Sequence, residues 1–191
     1  MPSSPITSET LLVKLRNEDG DGWQKLFAIY GPLIAFWCER CGVSGADAED
    51  TRQEVFKSLH RSISTFRRDE ESQSFRAWLW TITRNQIVSD SRKKREVAIG
   101  GTAAVALANN LPEKEPLEIS SAYPQKLTIQ RILQVVSQDF EVQTQKAFYR
   151  TVIDELPASE VAEEMNMTPA AVRKAKSRVL NRLRSEFKEL L

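Results

Sequence analysis

Thr168-Pro169 opens the most constrained stretch of this chain. Thr is a favoured helix N-cap, and Pro is tolerated at the first helical position, where its missing N–H costs nothing. Asn166, just before, can take the left-handed conformation that a tight turn needs. Upstream, residues 156–165 predict a short helix with Val161, Ala162 and Met165 on its inner side, and Met167 as a buried turn residue. Downstream, Val172, Ala175, Val179, Leu180, Leu183 and Phe187 share one helix face. At about 100° per residue, Arg173, Lys174, Ser177, Arg178 and Asn181 fall opposite. Residues 169–188 hold seven basic side chains against the single Glu186. A short bracing helix, a tight turn and a long basic helix make a helix-turn-helix, whose second helix can enter a DNA major groove. A basic face alone is more often simply solvated. The turn, cap and proline together shift the balance to a DNA reader.

Whole-chain charge adds nothing here, because 191 residues carry a formal net charge of only +1. Hydrophobic residues make up 41%, enough to build packed cores. No apolar run reaches the ~20 residues of a membrane span. Met1-Pro2-Ser3-Ser4-Pro5 lacks the basic and apolar segments of a secretion signal. A soluble, cytoplasmic protein is expected, with no membrane insertion. Two cysteines cannot make a disulfide framework, which agrees.

Helical spacing dominates, and alternating β-branched runs are missing, so the expected fold class is all-α. A first helix is predicted over 7–17, capped by Thr7 or Ser8, and ended by a turn at 18–22. A second covers 23–41, with Gly31-Pro32 bending or interrupting it. A third covers 47–62, with Ala48, Val55, Phe56, Leu59 and Ile63 apolar and Asp50, Gln53, Glu54 and Lys57 opposite. A polar loop at 66–73 follows. A fourth helix, 74–94, has Phe75, Trp78, Leu79 and Ile82 on one face and Trp80 and Ile87 on another, as in a helix clamped inside a bundle. Residues 96–124 lose the pattern, with Gly100-Gly101, three prolines, and four Glu against one Lys. They read as a mostly flexible linker. Helical spacing returns at Leu127, Ile132, Leu133 and Val136 and runs on through Ala147, Phe148, Val152 and Ile153. The expected layout is two small helical domains, 1–95 and 124–191, joined by a linker at 96–123.

Residues 61–95 hold nine basic and four acidic side chains, with Phe66, Phe75, Trp78 and Trp80 among them. Cations neutralise phosphate and rings stack on unpaired bases, so this mixture suits single-stranded DNA. Phe75 and Trp78 also sit at core spacing, and plain packing is the commoner fate of such rings. Arg84 and the Arg92-Lys93-Lys94-Arg95 run are better phosphate candidates. The acidic-polar face of 47–56 is either solvated or docks on a basic partner helix.

These constellations, in this order, resemble the extracytoplasmic-function group of the sigma-70 family of bacterial sigma factors. LLVKLRNEDGDGWQKLFAIYGPLI from Leu11 is similar to the family's opening helices. DAEDTRQEVFKSL from Asp47 resembles the region that binds the clamp coiled coil of the RNA polymerase β′ subunit. FRAWLWTITRNQIVSDSRKKRE from Phe75 resembles the region that melts and reads the −10 element. LPASEVAEEMNMTPAAVRKAKSRVLNRLR from Leu156 resembles the helix-turn-helix that reads the −35 element. The resemblance implies a protein without chemistry of its own, cofactor or metal. It implies binding to core RNA polymerase, through the β′ clamp and β flap, and to promoter DNA. An anti-sigma factor is a further candidate partner. Asp47, Asp50, Gln53 and Glu54 would dock polymerase. Arg67, Arg68, Arg84, Asn85, Arg92, Lys93, Lys94 and Arg95 would contact −10 DNA, and the 66–74 loop would capture a flipped base. Thr168, Ala170, Arg173, Lys174, Ser177, Arg178, Asn181 and Arg182 would meet −35 DNA.

Three pairs of residues depart from the family pattern. Thr51 and Arg52 replace the usual apolar pair after Asp50. Thr81 and Ile82 stand where the large housekeeping factors carry a tryptophan wedge, which implies weaker melting and a stringent promoter. Ala175-Lys176 reverses the usual basic-then-Leu order. Lys176 must then snorkel, or the helix is rotated slightly. A stand-alone helix-turn-helix regulator with a helical sensory domain is the competing reading, but it leaves the 47–56 and 75–95 motifs unused. An enzyme is disfavoured, since His60 is the only histidine and no Gly-rich phosphate loop or nucleophile elbow occurs. Cys38-Glu39-Arg40-Cys41 reads as a reduced pair rather than a zinc site, which would need two more ligands.

Overall fold

The computed structural model describes residues 10–67, 74–97, 111–112 and 122–188. They form α1 (Leu11–Arg16), α2 (Gly20–Arg40), α3 (Gly45–Ser62), α4 (Phe75–Val97), α5 (Ala122–Ser137), α6 (Val142–Val152), α7 (Ala158–Glu164) and α8 (Pro169–Phe187). No strand occurs among the described residues, as an all-α fold requires. The chain divides into two compact units, one holding residues 11–129 and the other 130–188. Helices reach into the stretch expected as linker from both ends, α4 to Val97 and α5 from Ala122.

In the first unit, α2 starts inside the expected turn. Asp19 is the N-cap, its Oδ1 accepting from the amides of Asp21 (2.8 Å) and Gly22 (3.3 Å), while Glu18 takes the left-handed turn (φ 57°). Gly22 is therefore helical and not a turn residue. It is buried against α1, where an added Cβ would lie 2.9 Å from Lys14 Cβ. The caps foreseen at Thr7 and Ser8 lie outside the described residues. α2 continues through Pro32 to Arg40. Its buried residues, Ile29, Leu33, Ile34 and Trp37, flank the proline on both sides, so packing outweighs the one lost hydrogen bond.

α3 and α4 pack on each other and on α2. Thr51, Val55 and Leu59 are the buried residues of α3, whereas Ala48 and Phe56 are only half-buried. On α4, Phe75, Leu79, Thr83 and Ile87 form one buried line with Trp80 beside it. Trp78 and Ile82 are half-buried, so the helix has a single broad inner face instead of two. The Thr83 hydroxyl satisfies itself on the Leu79 carbonyl (2.9 Å). Ser74 caps α4, its Oγ accepting from Ala77 N (3.2 Å). Rings bind the helices together: Trp37 meets Trp80 edge-on (5.4 Å) and Tyr30 meets Phe75 (5.1 Å).

In the second unit, α8 lies against α6 and α7. Ala147, Val161, Ala162, Val172 and Ala175 are the buried centre, and Leu156, Met165 and Met167 pack on it half-buried. Arg150 of α6 clasps Glu164 of α7 through Nη2 (2.7 Å) and Nε (3.1 Å), and its Nη1 reaches Asp154 (2.8 Å). Hydrogen bonds to these two carboxylates push the guanidinium pKa further up.

Candidate functional site

The helix-turn-helix forms as its residue types dictate. α7 ends at Glu164, Asn166 adopts φ 54°, and Met167 N donates to Ala162 O (2.8 Å). Thr168 Oγ1 accepts from Ala171 N (3.1 Å), with Pro169 at the first helical position. Val172, Ala175, Val179, Leu183 and Phe187 are buried. Thr168, Ala170, Arg173, Lys174, Ser177, Arg178 and Asn181 are exposed. This settles the rotation of α8 within its unit. Lys176 is half-buried and lines a groove with Leu156, Val172 and Leu180, so its stem lies along apolar surface, as snorkelling requires. Leu180 is itself only half-buried. Arg178 also leans over the Phe140 ring (5.8 Å).

Arg182 is placed differently from its neighbours. Its guanidinium lies 3.5 Å from Asp139 and 2.9 Å from Glu186, although the Nε–H does not point along the second contact. Glu186 was foreseen only as the lone acid of a basic helix, yet it is fully buried. An uncompensated buried carboxylate is costly, so Arg182 serves first to neutralise it. Arg182→Ala is expected to destabilise this unit by about 3 kcal/mol in urea unfolding. Unchanged stability would show that Glu186 has another counter-charge.

On the first unit, the acidic face of α3 borders α4. Asp47, Asp50, Thr51, Glu54, Ile87, Asp90, Ser91 and Lys93 line a groove of about 210 Å³ there, with Val43 at its end. Asp47, Asp50 and Gln53 are exposed and Glu54 is half-buried. Gln53 Nε2 reaches Glu49 (3.5 Å). Lys57 hydrogen-bonds Glu54 (2.6 Å) and holds its carboxyl below the usual range. Asp90, which the sequence reading passed over, anchors the groove. Its Oδ2 accepts from the buried Thr51 hydroxyl (3.1 Å) and its Oδ1 from Gln86 (2.9 Å). The polar Thr51 in an apolar slot was the signal that could have pointed to such a partner. Arg52, the other departure, chelates Glu49 and lies over the Phe27 ring (4.7 Å).

The basic candidates are scattered over this unit. Arg67 is exposed and donates to the Ser64 (2.7 Å) and Phe66 (3.0 Å) carbonyls. Arg84 is half-buried and Asn85 exposed. Arg92 and Lys93 are exposed, but Lys93 lines the acidic groove, 3.8 Å from Asp90. Lys94 and Arg95 lie on the last turns of α4. Arg68 and most of the 66–74 loop lie outside the described residues. Packing claims the interleaved rings: Phe66, Phe75 and Trp80 are buried, and half-buried Trp78 lies against Phe66 (4.8 Å). Phe66 thus belongs to the core, not to the polar loop in which it was expected.

Cys38 and Cys41 are buried free thiols. Burial pushes Cys38 up to about 12 and Cys41 to about 11, so both are thiols at neutral pH and poor ligands or nucleophiles. No group of three metal-ligating side chains occurs among the described residues. Nor is any described helix long and apolar enough to cross a membrane.

Residues 26–97 match the family model of sigma-70 region 2. The match runs from the first third of α2 through α3 and ends where α4 ends, so the acidic groove and the α4 cations all lie within the matched residues. Among curated proteins, no sequence matches the chain. The match supports a sigma-factor role in promoter recognition, for which core RNA polymerase and promoter DNA are the implied partners. The family acts by binding, without catalysis.

Proposed function

We propose that the chain is a sigma factor of the extracytoplasmic-function type, acting in the cytoplasm. Its region 2 spans 1–95, its linker 96–123 and its region 4 124–191. The observation that carries this reading is the order of its parts: a region 2 is followed by a separate unit with a capped helix-turn-helix whose basic face is exposed. A stand-alone regulator has no use for the first part.

In this reading Asp47, Asp50, Gln53 and Glu54 dock on the β′ clamp. Asp47, Asp50 and Gln53 are exposed on α3, and Asp47, Asp50 and Glu54 line the acidic groove, which supports that role. The second unit contacts the β flap and reads the −35 duplex with Thr168, Ala170, Arg173, Lys174, Ser177, Arg178 and Asn181. Arg84, Asn85, Arg67, Arg68, Arg92, Lys93, Lys94 and Arg95 serve the −10 strand, chiefly by neutralising phosphate. An anti-sigma factor would act by covering one of these faces.

Core-enzyme binding tests the proposal. Purified chain is expected to co-elute with core RNA polymerase. Combined Asp50→Ala, Gln53→Ala and Glu54→Ala changes are expected to weaken that association at least roughly tenfold. No association of the intact chain with core enzyme returns the protein to the stand-alone regulator class. On promoter DNA, Arg173→Ala or Lys174→Ala is expected to cost ~1–3 kcal/mol if a base edge is read, and less if only phosphate is touched. Unchanged affinity in both would mean that another face of α8 meets DNA.

A further inference from the structure

Beside Arg84 on α4 lies a segment from far along the chain. Arg84 Nε donates to the Leu111 backbone carbonyl at 2.9 Å. The Leu111 side chain is only 8% exposed, whereas the adjoining Pro112 is exposed. Both residues of the contact belong to the first unit. From Arg84 to the end of α4 at Val97 the helix advances about 20 Å. Leu111 is apolar and buried, which gives the contact a reason to persist.

We propose that Leu111 is a built-in competitor for the DNA-contacting surface of α4, holding Arg84 until a nucleic-acid strand displaces it. The inference rests on the reading of Arg84 as a strand contact. The chemistry suits a releasable latch. The carbonyl is a neutral acceptor, whereas a phosphate is an anion, and charge-assisted hydrogen bonds are roughly twice as strong as neutral ones. A chain with Leu111 docked binds a strand less well, and the apparent dissociation constant rises in inverse proportion to the undocked fraction. The coupling is reciprocal, so a bound strand releases the segment.

Removal of the apolar anchor isolates this effect, because any substitution at position 111 keeps the carbonyl. Full-length chain without polymerase is titrated into a short fluorescein-labelled single-stranded DNA of random sequence at low salt, and anisotropy is read. Leu111→Ser is expected to bind roughly three- to tenfold more tightly than the parent chain. The gain is expected to vanish in the Arg84→Ala, Leu111→Ser double variant. Binding by Leu111→Ser that is equal or weaker overturns the inference, and so does a gain that persists without Arg84. Weakening by Arg84→Ala alone, without strengthening by Leu111→Ser, defeats the latch and leaves the strand contact standing. Equal binding by the Leu111→Ser chain and the Arg84→Ala, Leu111→Ser chain defeats the strand contact itself, and the latch with it. Leu111→Gly gives a second removal of the anchor, and an unchanged thermal transition of either variant separates undocking from unfolding.

Discussion

Val179→Asp is expected to unfold the C-terminal unit. Val179 is fully buried on α8, between Ala175 and Leu183 along the face that meets α6 and α7. A carboxylate there has no designated partner and must either stay charged in an apolar core or bind a proton at a steep cost. The penalty is about 4 kcal/mol or more, the range that marks an unpaired buried charge. A unit this small has little reserve, since small domains bury a low fraction of their surface. Circular dichroism through a urea titration should show the helices of this unit lost while a second transition, from the first unit, persists. A variant as stable as the parent would contradict the packing of α8, and with it the set of residues left facing outward.

Trp80→Ala should have a comparable effect on the other unit. Trp80 is fully buried, edge-on to Trp37, and ties α4 to α2. Truncating a buried Trp to Ala typically costs about 3–5 kcal/mol. Trp80→Phe should cost far less. The indole Nε1 is buried with no hydrogen-bond partner among the described residues, so its loss removes an unsatisfied donor as well as some volume. Urea midpoints of the two variants decide the point. Full stability in Trp80→Ala would make Trp80 available as a stacking platform, and would reopen a role for it on single-stranded DNA.

Local chemistry made some of this legible from sequence. Asn166, Thr168 and Pro169 each have a narrow conformational use, and all three are used that way. The buried residues Val55, Leu59, Val172, Ala175, Val179 and Leu183 were legible because helical spacing alone puts them on one side of α3 or α8. What stayed hidden depends on residues far apart in the chain. Glu186 reads as solvated until the packing of α8 buries it beside Arg182, whose guanidinium also reaches the distant Asp139. Thr51 reads as a misfit until Asp90, a helix away, accepts a hydrogen bond from its hydroxyl. Gly22 reads as a turn glycine until α1 packs on it. The interleaved aromatic rings of the first unit could have been core or stacking surface on spacing alone, and only the fold decides for the core. Arg84 looks like a free cation in sequence, whereas its Nε–H is already given to Leu111.

Promoter-specific transcription tests the central claim most directly. Core RNA polymerase lacking any sigma subunit is combined with the purified chain on a fragmented genomic library, and transcript starts are mapped. The expected result is transcripts that begin at a small set of sites sharing spaced −10 and −35 elements. They should be lost with the Asp50, Gln53 and Glu54 changes and reduced by Arg173→Ala. Core enzyme that initiates no more specifically with the chain than without it would contradict the account.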